Sequence, residues 1–181
     1  TYHYVFGLEE SYGCLAGTYA RDKDACVAVM MLCEVASWYK KQGKTLWDAM
    51  LDMYETYGYF KEGLETITLK GMDGAEQIQQ MMADARENLP QTIGDYKVLA
   101  VRDYKTDLRI DMADGSKSPT GLPTSNVLYY ELEDHAWCCV RPSGTEPKIK
   151  FYFGVKGASL ADAEDKLEDL TKGMMALFDR K

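Results

Sequence analysis

The spacing of apolar residues predicts four helices along the chain. In each segment, apolar side chains recur every three or four positions, which places them on one helical face. Glycine or proline ends the first three segments, and two helices begin with side chains at the spacing of an N-terminal capping pair. The predicted helices run from after Asp24 to Gly43, from Thr45 to Gly58, from Gly71 to Leu89, and from Ser159 onward.

Segments rich in β-branched and aromatic residues predict strands between these helices. The clearest is Lys148 to Val155, where apolar and polar residues alternate so that one face can be buried. A three-residue turn separates Val127–Leu132 from Ala136–Arg141, and this arrangement predicts a hairpin. Further strands are predicted near Tyr4–Phe6, Leu64–Leu69 and Tyr96–Tyr104, whereas Lys105–Asn126 is a polar stretch bearing glycine and proline.

The order of these elements predicts an α+β fold in two parts. From Gly63 onward the order is strand, helix, about three strands and helix, which indicates a largely antiparallel sheet with helices on one face. The pattern changes just before this point. We therefore expect a boundary that separates residues 1–60 from residues 61–181.

Composition and charge narrow the classes of partner. With 46% hydrophobic and 28% charged residues, the chain is typical of globular proteins. Its net charge of −8 disfavours nucleic acid, because binding of that polyanion depends on clustered cations. Five cysteines without a CxxC pair, and no long apolar span, favour a cytoplasmic protein without a membrane partner, disulfide framework or metal site.

A polar loop between the last two predicted strands has the chemistry of an anion site. Arg141 offers a planar fork of donors, Ser143 and Thr145 offer hydroxyls, and Gly144 permits a positive φ through which backbone amides can converge. Two prolines restrict the loop before a ligand binds. The full string is Arg141-Pro142-Ser143-Gly144-Thr145-Glu146-Pro147.

This loop and its flanks, Trp137 to Tyr152, resemble the phosphate-binding loop in the last domain of the alpha-D-phosphohexomutases, the phosphoglucomutase/phosphomannomutase superfamily. The resemblance implies that Arg141, Ser143, Gly144 and Thr145 hold the phosphate of a sugar phosphate. It also implies a TATA-binding-protein-like α+β domain, preceded here by part of an α/β third domain. Fold similarity of this kind does not imply DNA binding.

A second loop, Gly7 to Gly13, resembles the sugar-recognition loop of the same family. In that family a glutamate and the serine two positions later bind adjacent hexose hydroxyls, and these positions correspond to Glu9 and Ser11. A carboxylate that accepts from two hydroxyls gives directional recognition of a sugar. The Glu-Glu-Ser form is more similar to phosphoglucomutases than to phosphomannomutases, so glucose phosphate is the preferred substrate.

Lys23 lies in a charged cluster that resembles the basic segment after the family's sugar loop. The resemblance implies that Lys23 approaches the reacting phosphate or, if desolvated, acts as an acid or base. An exposed charge cluster that caps a helix explains the same residues equally well.

The sequence lacks the two family loops that perform phosphoryl transfer. Neither a phosphoserine loop nor an Asp-Gly-Asp-Gly-Asp-like magnesium loop is found in residues 1–181. We therefore expect a C-terminal portion of a mutase that is inactive alone. The resemblance implies Mg²⁺ and a hexose 1,6-bisphosphate activator only for the full-length enzyme, and the missing N-terminal domains as partners.

Two alternatives to a mutase portion stay open at this point. One is a noncatalytic module that binds sugar phosphates, and the other is a protein-interaction module whose Arg141 contacts a protein carboxylate. An upstream phosphoserine loop and metal loop in the parent gene would favour the mutase.

Overall fold

A computed structural model describes residues 3–9, 13–69 and 73–178 of the chain. It forms two compact units, unit 1 (Thr1–Tyr57) and unit 2 (Gly58–Lys181). Within its described residues, unit 1 contains β1 (Phe6–Leu8), β2 (Cys14–Ala16), α1 (Ala25–Lys41) and α2 (Leu46–Tyr57).

Side-chain caps explain where both helices of unit 1 begin. Asp24 caps α1 by accepting from the amides of Cys26 and Val27 at 2.9 and 3.1 Å. At α2, Asp48 accepts from the Thr45 amide at 2.7 Å, and Thr45 Oγ1 accepts from the Asp48 amide at 3.1 Å. This reciprocal pair confirms the capping arrangement predicted from the sequence.

The helices of unit 1 expose side chains that are usually buried. No residue of α1 is buried, and Val29 and Trp38 are 64% and 59% exposed. In α2, Trp47 is 59% exposed and Met53 is 50% exposed. Exposed large apolar side chains in this number are typical of a surface that another part of a protein covers.

Unit 2 contains a larger sheet and two helices within its described residues. The sheet has eight strands in the order β3-β10-β9-β8-β5-β6-β7, with β4 paired to β5, and every pairing is antiparallel. The elements are β3 (Tyr59–Thr68), α3 (Gly74–Glu87), β4 (Thr92–Ile93), β5 (Tyr96–Asp103), β6 (Leu108–Asp111), β7 (Lys117–Ser118), β8 (Leu128–Leu132), β9 (Trp137–Pro142), β10 (Lys148–Gly157) and α4 (Leu160–Phe178).

Both helices of unit 2 pack on one face of this sheet. Met82 of α3 and Leu170 of α4 belong to the same buried cluster as Phe151 and Phe153 of β10. Alternation along β10 buries these aromatic residues and leaves the residues between them on the opposite face. The expected α+β class, with a mostly antiparallel sheet, is confirmed.

Two features of the sheet differ from the sequence prediction. The polar stretch 105–126 contains β6 and β7, and β3 begins at Tyr59 rather than near Leu64.

An ion-pair cluster accompanies the added strands: Glu131 of β8 accepts from Arg109 of β6 at 2.9 and 3.0 Å and also from Arg102 of β5. Hydrogen bonds from Arg109 first, and also from Arg102, lower the pKa of Glu131.

None of the described helices is both long and apolar enough to cross a membrane.

A close backbone contact fixes the position of α4 against β4 and the following turn. Gly173 lies in the interior of α4, where a Cβ would collide with the backbone nitrogen and Cα of Gly94. Gly94 itself has a φ of +55°, a conformation that favours glycine. The contact therefore requires glycine on both sides.

We expect Gly173→Ala to destabilise unit 2, although this substitution usually stabilises a helix interior by about 1 kcal/mol. The added methyl group must displace backbone, so the free energy of unfolding should fall by about 1–3 kcal/mol. Urea unfolding followed by circular dichroism measures the change. Lys172→Ala, at a neighbouring exposed position, is the control and should alter stability by less than about 0.5 kcal/mol. A Gly173→Ala variant as stable as the parent chain would contradict the contact.

Candidate anion and sugar sites

The polar loop from residue 143 to residue 147 connects two strongly paired strands. The last β9–β10 pair before the loop is Pro142 with Ile149. The Ser143 amide donates to the Lys148 carbonyl at 2.8 Å, and the Lys148 amide donates to the Glu146 carbonyl at 2.7 Å. The sheet therefore holds both ends of the loop in place.

The backbone amides at the tip of the loop are weakly engaged. Ser143 Oγ accepts from the Thr145 amide at 3.4 Å and from the Glu146 amide at 3.3 Å, both longer than the usual 2.7–3.2 Å. Bonds of this length are readily exchanged for a stronger acceptor. A phosphate oxygen is such an acceptor because it carries charge.

Gly144 does not use the positive φ that its residue type permits. Its φ lies outside the left-handed region. The Ser143 hydroxyl forms the turn instead, by accepting from the amides of Thr145 and Glu146. A Cβ at Gly144 would meet no atom within 4 Å, so the surface above this residue is open.

Two cations lie on the same face of the sheet at the base of this loop. Arg141 on β9 pairs directly with Lys150 on β10, and directly paired residues of antiparallel strands share a face. Arg141 is exposed and Lys150 is half-buried. Lys148, by contrast, is paired with Glu146 at 3.0 Å.

Sequence reasoning did not select Lys150 as a site residue. It placed the residue on the wetted face of the strand, and that alternation is the signal that could have identified it. The pairing with Arg141 depends on strand register, which becomes visible only in the folded sheet.

The neighbouring thiols are protected from ionisation. Burial raises the pKa of Cys139 to about 11, although nearby Arg141 acts in the opposite direction. Burial also raises the pKa of Cys138. Because the thiolate is the reactive form, neither cysteine is suited to nucleophilic chemistry at neutral pH.

In unit 1, the structure brings together Glu9 and Lys23. Glu9 directly follows β1, and its Oε1 lies 3.3 Å from Lys23 Nζ. Lys23 directly precedes Asp24, whose amide donates to the Cys14 carbonyl at 2.8 Å. Ser11, the third residue predicted here, lies outside the described residues.

Lys23 is held as a cation by two carboxylates. Its Nζ lies 2.8 Å from Asp22 as well as 3.3 Å from Glu9. Hydrogen bonds that Lys23 donates to Asp22 first, and then to Glu9, raise the pKa of Lys23. A raised pKa favours the charged form, so this geometry suits Lys23 for orienting an anion better than for removing a proton.

No metal site is found in residues 3–9, 13–69 and 73–178: no group of three or more His, Cys, Asp or Glu side chains could hold an ion there. These residues do not fit the Mg²⁺ that the family resemblance implies for the full-length enzyme. No catalytic step is therefore assigned to a metal in this chain.

Taken together, these features describe an α+β protein with a candidate anion site in a hairpin loop. The family described as phosphoglucomutase/phosphomannomutase, alpha/beta/alpha domain III, matches residues 1–57. The phosphoglucomutase of Staphylococcus aureus (strain bovine RF122 / ET3-1) is 39% identical over 163 residues, which are 90% of this chain and 29% of that protein. The phosphoglucomutase of Staphylococcus haemolyticus (strain JCSC1435) is 37% identical over 86% of this chain and 28% of its own length.

The chain belongs to the phosphoglucomutase/phosphomannomutase superfamily, the phosphohexomutases, and spans less than a third of the length of these curated relatives. Among solved structures, the di-domain ARO/CYC BexL from the BE-7585A biosynthetic pathway is similar over 86% of this chain and 59% of its own. Its identity of 12% and TM-score of 0.37 carry no conclusion about fold or function.

We expect Asp22→Asn to lower the pKa of Lys23 toward its ordinary value, and by more than Glu9→Gln does, because Asp22 is the closer partner. Nitrogen-detected NMR titration of the lysine side chain measures both shifts. Any stabilisation from this raised pKa is complete below about pH 10.4 and is lost as pH rises through the folded value. Asp52→Asn, which removes a carboxylate from Lys44, is the control. An equal or larger effect of Glu9→Gln would contradict the assigned order.

Proposed function

We propose that this chain is the carboxy-terminal part of a phosphoglucomutase and holds the substrate while another part of the protein performs phosphoryl transfer. The full enzyme would interconvert hexose 1-phosphate and hexose 6-phosphate through a phosphoserine. The observation that carries the proposal is the loop after β9, where weakly engaged amides lie beside Arg141 and Lys150. A dianionic ester is the ligand that best matches this combination.

The charge distribution around the loop supports an anionic ligand despite the acidic chain. The net charge is −8, yet Arg141 and Lys150 form no ion pair within the described residues. The nearest acidic side chain of the loop, Glu146, is occupied by Lys148. Local cations can therefore attract a phosphate where the average surface would repel it.

Glu9, Ser11 and Lys23 are the proposed contacts to the sugar end of the substrate. Glu9 is 61% exposed at the side chain and presents a carboxylate that can accept from two hydroxyls. Lys23 is partly covered and charged, which suits it to a phosphate oxygen or a hydroxyl. Glucose is the preferred hexose, because the Glu-Glu-Ser form of the loop is more similar to phosphoglucomutases and the matched relatives are named phosphoglucomutases.

The exposed apolar helices of unit 1 support a longer functional protein. Side chains such as Val29 and Trp38 have the composition of a core without being buried. The matched relatives are more than three times as long as the matched segment. We infer that the phosphoserine and the Mg²⁺ ligands reside in the additional domains, and that a hexose 1,6-bisphosphate serves as activator there.

We expect glucose 6-phosphate to shift the amide signals of Gly144 and Thr145 in NMR spectra, with saturation at millimolar ligand. Arg141→Ala should weaken binding by about 10- to 100-fold, because a charge-assisted hydrogen bond contributes about 1.5–3 kcal/mol. Lys150→Ala should also weaken binding, and Arg141→Lys should retain only part of it because it lacks the planar fork. Lys172→Ala, on an exposed part of α4, is the control for lost positive charge.

Gly144→Ala separates ligand contact from backbone conformation in the same titration. The open surface at Gly144 and its ordinary φ imply unchanged stability, whereas a methyl group under the phosphate should weaken binding. Glucose without phosphate is the ligand control. Equal binding of glucose 6-phosphate by the parent chain and by Arg141→Ala would contradict the phosphate site and favour a protein-interaction module.

The chain alone should show no measurable conversion of glucose 1-phosphate to glucose 6-phosphate. The reason is chemical: residues 1–181 contain neither the phosphoserine loop nor the aspartate-rich metal loop. A coupled assay with Mg²⁺ and glucose 1,6-bisphosphate measures turnover, and a full-length relative is the positive control. Turnover that survives repeated purification would contradict the proposed division of labour.

A further inference from the structure

Unit 2 contains a cavity of about 280 Å³ that none of the loop residues 143–147 lines. It lies between α3, β8 and the end of α4. Met81, Ala85, Leu177 and Phe178 form apolar walls, and Asp84 adds a carboxylate. Apolar cavities of about 150 Å³ are known to bind benzene, so this cavity has room for one ring with a short substituent.

Tyr130 of β8 contributes its side chain to the lining of this cavity. Its side chain is only 1% exposed, and its oxygen makes no hydrogen bond with any part of the chain that the structure describes. Among the described residues, every side-chain oxygen or nitrogen that is fully enclosed has a hydrogen-bond partner. The Tyr130 oxygen is therefore not fully enclosed, and the cavity is one opening that Tyr130 lines.

The hydroxyl of Tyr130 is a neutral hydrogen-bond donor, and the charged groups near it are bonded to other residues. Burial raises the pKa of Tyr130, so the phenol keeps its proton at physiological pH. Arg86, the nearest cation acting on it, donates instead to Asp103, Asn126 and the Met82 carbonyl. An acceptor placed in the cavity would satisfy the hydroxyl.

The walls and the carboxylate restrict the kind of ligand further. Met81 and Phe178 are side chains that pack well against an aromatic ring. Asp84 already accepts a hydrogen bond from Gln80 at 2.7 Å, and its charge disfavours an anion. A flat, neutral molecule fits both constraints.

We propose that this cavity is a second binding site, which takes a small neutral aromatic molecule whose hydrogen-bond acceptor faces the Tyr130 hydroxyl. The site is independent of the proposed sugar-phosphate site, because its lining comes from α3, from Asn88 and Pro90 that follow it, and from β8 and α4. Benzamide is a probe of this class, with one ring and one carbonyl acceptor. Benzoate is the matched anionic probe of nearly the same shape.

The test is NMR titration of the full 181-residue chain labelled at methionine methyl groups. Benzamide should give a saturable shift at Met81, with a dissociation constant in the millimolar range for so small a ligand. Tyr130→Phe should weaken binding about 3- to 10-fold, which corresponds to one hydrogen bond. Benzoate should bind at least about 5-fold more weakly than benzamide because of Asp84.

The neighbouring residue Tyr129 supplies a matched control. It lies on the opposite face of the sheet, where its ring stacks on Trp137 at 5.8 Å. Tyr129→Phe removes the same atom and should leave benzamide binding unchanged. Tyr130→Phe should also leave the unfolding temperature unchanged or raised, because no hydrogen bond to a described residue is lost.

Three binding results would each overturn the proposal. These are the absence of a saturable Met81 shift with benzamide, equal benzamide affinity in the parent chain and Tyr130→Phe, and a benzoate affinity that equals that of benzamide. A marked loss of stability in Tyr130→Phe would overturn it as well, since the hydroxyl would then have a partner in the protein.

Discussion

The pairing of β9 with β10 is the constraint on which the candidate anion site depends. Backbone hydrogen bonds set the register that places Arg141 opposite Lys150, and the same register buries Phe151 opposite Val140. A shift of one residue would exchange the two faces of β10 and would bury charge. The cost of exposing these core residues therefore holds the cations at the base of the loop.

The sequence predicted the elements whose signals are local. Both capping pairs, Thr45–Asp48 and Ser159–Asp162, mark helix starts because the bonds join residues three apart. Strands β6 and β7 were missed because they are short and polar. Glu131, distant along the chain, joins Arg102 and Arg109, and a local pattern cannot reveal such a cluster.

Two glycines have roles that their positions in the sequence did not reveal. The pattern predicted a new strand just after Gly63, yet Gly63 lies within β3 and leaves room for Leu167 of α4. Gly144 permits a left-handed conformation, yet it adopts an ordinary one and leaves open surface above the backbone. In both cases the absence of a side chain determines what can lie against the backbone. The groups that lie there are set by the folded structure, and the sequence alone does not identify them.

The contact between Gly173 and Gly94 has a consequence for the end of α4. With two backbones in direct contact, the helix can neither slide nor rotate without breaking the packing at this point. Phe178 lies about one and a half turns farther along the same helix, and its ring packs edge-on against Phe151. The cavity wall that the Phe178 ring forms is therefore in position before a ligand binds, so little conformational entropy is lost on binding.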